Sequence, residues 1–328
     1  MEKSGMVTVI VLSYNKFDYL YEAIESALNQ SYEKIEIIIQ DDASVSFPKK
    51  QIVSFIEKNK GKNLVRFLVE SNEKNLGTVK NFNCAIKKGT GDYFITLSGD
   101  DVFYDENTIQ KIVNRFRESG EKMLCCRRLL CTEKDLIPIR YMPNSLYIPL
   151  IKKINTPFKQ YLAFGKGNYY EMASGSVTYF SRDFFDMYGY FDENYVYWED
   201  GPLYARHTRL GNIIPTAYDI TAIKYRKGGV STGGDLPIRF KDDYIKFYER
   251  EFLPYMGKIK LKRRDMRKMK FRMKRVLSYR NMSYKEKAFF IIQYLDCIIE
   301  KKILSFLMKL ANYIETLCLR YTFNGKKC

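Results

Sequence analysis

The 328-residue chain reads as an α/β protein with a Rossmann-like, mainly parallel sheet, followed by a basic helical extension. Three observations predict this. Short β-branched runs alternate with helix-period segments through the N-terminal third, as in right-handed βαβ units. Two of those runs end in acidic pairs, at the strand ends where such sheets bind ligands. After residue 238 the composition turns basic and helical.

Residues 7–12 (VTVIVL) form a continuously apolar run, as a strand buried on both faces requires. Ser13-Tyr14-Asn15 follows, then a helical stripe of Phe17, Leu20, Tyr21, Ile24, Ala27 and Leu28. A second strand, 35–39, ends at Gln40-Asp41-Asp42. A helix near 48–60, a strand at 64–69 and a helix at 78–88 precede the strand 93–97, which ends at Ser98-Gly99-Asp100-Asp101. A further helix is expected between Asp105 and Arg117. The middle, about 120–235, is loop-rich and aromatic, with a short strand at 176–180. The pattern divides the chain into 1–237, with a break near 119/120, and an extension, 238–328.

Composition narrows the chemistry. Hydrophobic residues make up 46% and charged residues 28%, so a globular core is expected. A single histidine, His207, argues against multi-histidine zinc sites and reads best as a polar helix residue. The seven cysteines form no C-x-x-C pair and read as reduced cytosolic thiols. The N-terminus runs directly into the first strand without the pattern of a signal peptide, and no apolar run long enough to span a bilayer is visible. The formal charge is +17, and between Lys258 and Arg275 eleven Lys/Arg face the single acid Asp265, a net of +10. No nucleic-acid-binding signature accompanies this block, so an anionic membrane surface is favoured over nucleic acid.

Three acidic sites carry candidate chemistry, each with a plainer alternative. Asp100-Asp101 would suit Mn²⁺ or Mg²⁺ bridging to phosphates, or else cap the next helix. Asp41-Asp42-Ala43-Ser44 offers a carboxylate to a pyrimidine N3–H, or only turn hydrogen bonds. Tyr197-Trp198-Glu199-Asp200 offers a general base for an acceptor hydroxyl, or a helix cap.

Taken together, strand–SYN–helix, DDAS, NLGTVKNFN, YFITLSGDD and GYFDENYVYWED closely resemble the family-two inverting glycosyltransferases of the GT-A fold, over roughly residues 6–235. The resemblance implies a nucleotide-sugar transferase domain of bacterial surface-polysaccharide type, with 1–119 as its nucleotide-binding half and 120–237 as its acceptor-binding half. It places Ser13 against the nucleotide and Asp42 on the base. Asp100 would lie near the ribose and metal, Asp101 would be the main metal ligand, and Asp200 the catalytic base, with Trp198 and Glu199 facing the acceptor. It also implies a nucleotide-sugar donor, probed first as a UDP-sugar, and a glycan or lipid-linked glycan acceptor.

Three departures stand out. Phe82-Asn83 replaces an Arg-Asn pair common in relatives, with Lys80 as the substitute cation near the donor. Tyr225 to Ser231 lacks the late histidine that some relatives give to the metal. The acid motif is Gly-Asp-Asp rather than Asp-x-Asp. Two rival readings are a nucleotidyltransferase, which lacks its Gly-rich phosphate loop here, and a non-catalytic sugar-nucleotide-binding scaffold at the membrane.

In the extension, Ile292, Leu295, Ile299, Ile303, Phe306, Leu310, Tyr313 and Leu317 recur at intervals of three and four. This stripe would pack on the catalytic domain, pair with a second copy in a homodimer, or lie on a membrane. The adjacent basic block favours peripheral attachment to the inner face of the cell membrane.

Overall fold

The computed structural model describes residues 5–228, 238–258 and 262–324. Its N-terminal part interleaves β1 (Val7–Ser13), α1 (Leu20–Leu28), β2 (Ile35–Asp41), α2 (Lys49–Asn59), β3 (Leu64–Ser71), α3 (Thr78–Lys88) and β4 (Tyr93–Ser98). Next come β5 (Val102–Phe103), α4 (Thr108–Ser119), β6 (Met123–Cys131), β7 (Pro138–Met142), α5 (Ile148–Ile151) and α6 (Pro157–Lys166). β8 (Thr178–Ser181), α7 (Arg182–Tyr188), α8 (Asp200–Arg209) and β9 (Thr216–Arg226) complete the middle. The chain closes with α9 (Ile238–Glu251), α10 (Arg263–Leu277), α11 (Tyr284–Gln293) and α12 (Leu295–Asn324). The expected strand at 176–180 begins later than the pattern implied, because Gly175–Val177 winds into a 3-10 turn.

The strands form one sheet in the order β3-β2-β1-β4-β8-β6-β9-β5, with β7 beside β6. β1 pairs in parallel with β2 and β4, β2 with β3, and β6 with β9. β8 runs antiparallel to β4 and β6, β7 to β6 and β5 to β9. Strand order reverses at β1, so the carboxyl ends of β1 and β4 open a crevice between them. Ser13 and Asp100-Asp101 lie at those ends.

The uninterrupted apolar strands are buried on both faces, as their sequence requires. Val7, Val9 and Val11 enter one core layer with Leu20, Ile24 and Ile112, while Ile10 and Ile38 enter the other with Val79, Phe82 and Phe164. The second layer continues past residue 238. Phe247, Tyr248 and Phe252 from α9 and just beyond it, with Met269 and Met273 from α10, belong to the same cluster. Tyr161 of α6 stacks on Phe252 with ring centroids 4.7 Å apart. Helices α9 and α10 therefore complete the core, and α12 touches its edge through Met308 and Ala311.

Helix α12 docks through an unexpected face. Glu315 accepts from Ser145 N at 2.8 Å and Tyr141 N at 3.0 Å and pairs with Arg127, while Asn144 donates to Asn312. Leu319 packs on Leu129 and Cys131. The apolar stripe predicted from the sequence points the other way, into solvent. Among the described residues no helix is long and apolar enough to cross a membrane. The six described cysteines are free thiols; Cys328 lies outside the described residues.

Candidate functional site

At the end of β2 the two aspartates divide their work. Asp41 accepts from Ser13 Oγ (3.0 Å), Ser44 N (2.8 Å), Ser44 Oγ (2.6 Å) and Ser71 Oγ (2.8 Å). It is the internal bracket of the turn. Asp42 reaches across to the loop before α3, where its Oδ1 accepts from Leu76 N and Asn72 Nδ2 and its Oδ2 from Gly77 N, at 2.8–2.9 Å. Gly77 has a φ of 84°, and a Cβ there would lie 2.5 Å from Val196, so only glycine lets the loop pass this close. Oδ2 keeps acceptor capacity for a further donor, such as a ring N–H. Lys80 is exposed in the first turn of α3. Asn83, in place of the expected cationic neighbourhood, is a clamp: its side chain donates to Phe191 O and accepts from Phe191 N.

At the end of β4, Asp101 is fully buried. Its Oδ1 accepts from Arg226 N at 2.9 Å, while its Oδ2 has no donor among the described residues. Burial, and then the charge of Asp100, push its carboxyl well above the usual carboxylate range. Asp100 is half-buried. The pair is not spent on starting α4, because Asp105 takes that task, accepting from Asn107 N and Thr108 Oγ1. An undonated buried oxygen beside a second, partly open carboxylate fits a hard divalent cation, whose charge would supply what the site lacks. No third His, Cys, Asp or Glu joins them in a metal-holding group among the described residues. Phosphate oxygens and water would therefore complete the shell. Gly229 to Ser231, part of the stretch without the late histidine, lie outside the described residues.

The third acidic site precedes α8. Three successive backbone N–H groups, of Val196, Tyr197 and Trp198, all donate to the Asp243 carboxylate of α9, at 2.7–3.2 Å. Trp198 packs against Phe240, Tyr244 and Phe247 of the same helix. The residues that follow, Glu199 and Asp200, are thus aimed by an element more than forty positions away. Asp200 accepts from Gly175 N and Gly201 N, each at 2.6 Å. A Cβ on Gly175 would collide with the Glu199 carboxylate, so glycine is required where backbone meets acid.

Glu199 and Asp200 are deeply set yet keep part of their surface open. Burial, and then the charge of Asp200, push the Glu199 carboxyl up to about 8. Asp200 is also raised by burial, against which the Gly175 and Gly201 amides, the Trp198 side chain and Arg128 favour its charged form. Within the pair, burial favours the protonated form of Glu199, while the two amides and Arg128 hold Asp200 toward its charged form.

Arg128 is the functional residue that sequence reading missed. It is buried in the centre of β6, donates to Ser176 Oγ at 2.6 Å, and lies 4.2 Å from the centroid of the Tyr225 ring. Ser176 adjoins Gly175, which holds Asp200; Tyr225 adjoins Arg226, which holds Asp101. One cation therefore favours the charged form of both carboxylates, and its Nε has no partner among the described residues. A guanidinium in the otherwise apolar run MLCCRRLLC was the available signal, since a buried charge needs a countercharge. His207 is remote from this chemistry in role. It packs on Phe184 and Tyr188, and burial holds it down to about 4, so it is neutral, as the plainer reading expected.

Comparison with known proteins bears on the family and the fold. Residues 8–189 match the family described as glycosyl transferase family 2. An uncharacterized glycosyltransferase of Haemophilus influenzae is 26% identical over 264 residues, covering 79% of this chain and 77% of its own length. Another, from Rickettsia prowazekii, is 28% identical over 221 residues; the match spans 64% of this chain and 61% of the relative. Among solved structures, TarS 1–349 of S. aureus in complex with UDP-GlcNAc superposes with a TM-score of 0.58 at 17% identity, covering 89% of this chain and 80% of that one. The mannosyltransferase PcManGT of Pyrobaculum calidifontis, in complex with GDP-Man and Mn²⁺, gives 0.54 at 13% identity, covering 96% and 88%. These likenesses establish the GT-A fold.

Two outcomes follow for the YWED segment. Asp243→Ala strands three N–H donors, so urea unfolding should show a loss of about 3–5 kcal/mol, with Asp243→Asn recovering part of it. For Glu199, the folded carboxyl lies at about 8 against an ordinary 4.5, so its contribution to stability is present at acid pH and lost as pH rises through that window. Glu199→Gln should therefore gain on the wild type from acid to mildly alkaline pH, by about 2–4 °C in melting temperature. A pH-independent gap would show that Glu199 does not hold the proton.

Proposed function

Because the chain belongs to glycosyl transferase family 2, we propose that it moves a sugar from a nucleotide-sugar donor to a hydroxyl of a glycan or lipid-linked glycan, with inversion at the anomeric carbon. The observation that carries this reading is the convergence of three acidic sites through short protein bridges. Asp42 is tied to Val196 through Gly77, and Asp101 to Asp200 through Arg128.

In this reading the Asp42 side of the crevice takes the base, next to Ser13, with Lys80 toward the phosphates. A UDP-sugar is the first donor to test, supported by UDP-GlcNAc in the TarS complex. Asp101 and Asp100 would hold Mn²⁺ or Mg²⁺, which supplies positive charge to the departing nucleoside diphosphate. The Mn²⁺ in the mannosyltransferase neighbour supports that assignment.

Asp200 removes the acceptor hydroxyl proton as that oxygen forms its bond to the anomeric carbon. The bond to the nucleoside diphosphate breaks on the opposite face. Two amide donors fix the Asp200 carboxylate, so the base is oriented before substrate arrives. Burial raises its proton affinity, which suits it to general-base work near neutral pH. Glu199 stays protonated beside it, and Trp198 and Glu199 face the acceptor. Arg128 lies where positive charge can answer both the base and the donor end. The setting proposed is surface-polysaccharide synthesis, capsular or similar, at the cytoplasmic face of the membrane.

Replacing Asp200 with Asn should reduce transfer by about 10³-fold or more while nucleotide-sugar affinity, read by calorimetry, changes little. Unchanged turnover would remove Asp200 from the mechanism. With Asp101→Ala, nucleotide affinity should lose its dependence on Mn²⁺; a preserved dependence would move the metal elsewhere.

A further inference from the structure

Among the described residues the outward face of α12 has no partner, and its chemistry identifies one. Leu295, Ile299, Ile303, Phe306, Leu310, Tyr313, Leu317 and Tyr321 are 36–80% exposed, and Ile292 at the end of α11 is 74% exposed. They lie about opposite to Met308, Asn312, Glu315 and Leu319, the residues that fasten the helix to the sheet domain, given about 100° of turn per residue. A row of this length and apolarity exceeds what monomeric surfaces leave open.

We propose that this face lies in the surface of an anionic lipid bilayer, with α12 parallel to the membrane plane. The inference rests on the membrane address proposed above, but not on the chemistry of the catalytic centre.

Charge selects the lipid over a second copy. Lys302, Lys309 and Arg320 are exposed along one flank of the stripe. On the other flank the acids near the start of α12 are already neutralised by α10. Asp296 pairs with Arg267 at 2.8 Å, and Glu300 with Arg264 at 3.1 Å and also with Lys268. Further along α10, Lys270, Lys274 and Arg275 are exposed. Two such faces brought together would juxtapose basic rims on molecules that each carry +17, whereas anionic headgroups would neutralise them.

Spacing agrees. The apolar positions recur on average at about 3.6 residues, which keeps the row straight along the axis as a flat surface needs; a two-stranded coiled coil wants about 3.5. Tyr313 and Tyr321 pair an apolar ring with a polar tip, a shape suited to the headgroup boundary. The helix is too polar overall to span the bilayer, so it is expected to lie on it.

The test is flotation of the full chain with vesicles of phosphatidylcholine, with and without about one third phosphatidylglycerol, alongside sedimentation equilibrium without lipid. The wild type should float only with the anionic vesicles, and less at high salt. The triple variant Ile299→Glu, Phe306→Glu, Leu310→Glu should bind at least about tenfold more weakly, because it removes apolar insertion and adds repulsion. Lys302→Glu with Lys309→Glu should weaken binding while leaving the stripe intact. Circular dichroism and nucleotide-sugar affinity, measured on every variant, report folding and the catalytic reading separately. The proposal is overturned if the wild type stays with the lipid-free fraction, or if the triple variant floats equally. A dimer that the triple variant dissociates would also overturn it, assigning the face to self-association.

Discussion

The geometry of the candidate site depends on one carboxylate, that of Asp243, and on its grip on three consecutive backbone N–H groups. Hydrogen bonds to a charged acceptor contribute about 1.5–3 kcal/mol each, and Asp243 is fully buried, so water does not compete. The segment from Gly189 to Glu199 has no helix or strand of its own to hold its shape. Its conformation comes from side contacts: Asn83 on Phe191, Val79 N on Val196 O, and Asp243 on the next three amides. A loop held from both sides can carry two acids into a poorly hydrated site. A freely moving one would let them turn toward water.

The electrostatics follow the same logic. The protein is strongly basic, yet the crevice gathers Asp41, Asp42, Asp101, Glu199, Asp200 and Asp243 within it or beneath it. Three hydroxyls and one amide answer Asp41, two amides and the Asn72 side chain answer Asp42, and backbone amides answer Asp243, so these acids are structural fixtures. Asp101 differs, with one oxygen undonated, and Glu199 differs, with a proton favoured by burial. Those two exceptions mark where a cation and a transferable proton have chemical reason to be. Arg128, a buried cation, favours the charged form of Asp101 on one side and of Asp200, next to Glu199, on the other.

Much of this was legible in the sequence and some was not, for definable reasons. Apolar runs at strand length located β1, β2 and β4, which burial on both faces explains, and the acidic ends of β2 and β4 located the crevice. Asp243 was invisible. In KDDYIKFYER it looks like part of a solvated helix face, and only tertiary placement turns one acid of a pair inward. Arg128 was half-visible, as a charge in an apolar strand whose partner lay far off in sequence. The boundary drawn near 237 followed the change in charge, but α9 and α10 carry aromatic and methionine side chains that the second core layer needs.

The stripe on α12 shows a limit of periodicity itself. Apolar spacing shows that a helix has a greasy face, but not which face meets the rest of the chain. Here docking is polar and specific, through Glu315 and Asn312, and the greasy face is left outside. Alternation along β6 connects that arrangement to the site. Successive strand residues point to opposite faces, so Arg127 turns toward Glu315 of α12 while Arg128 turns toward Ser176 and Tyr225. A single strand therefore anchors the outer helix with one arginine and supports the acidic crevice with the next. A tilt of α12 relative to the sheet would pull on Arg127, one residue from the cation shared by Asp101 and Asp200. The surface on which α12 rests and the geometry of the crevice are mechanically neighbouring facts.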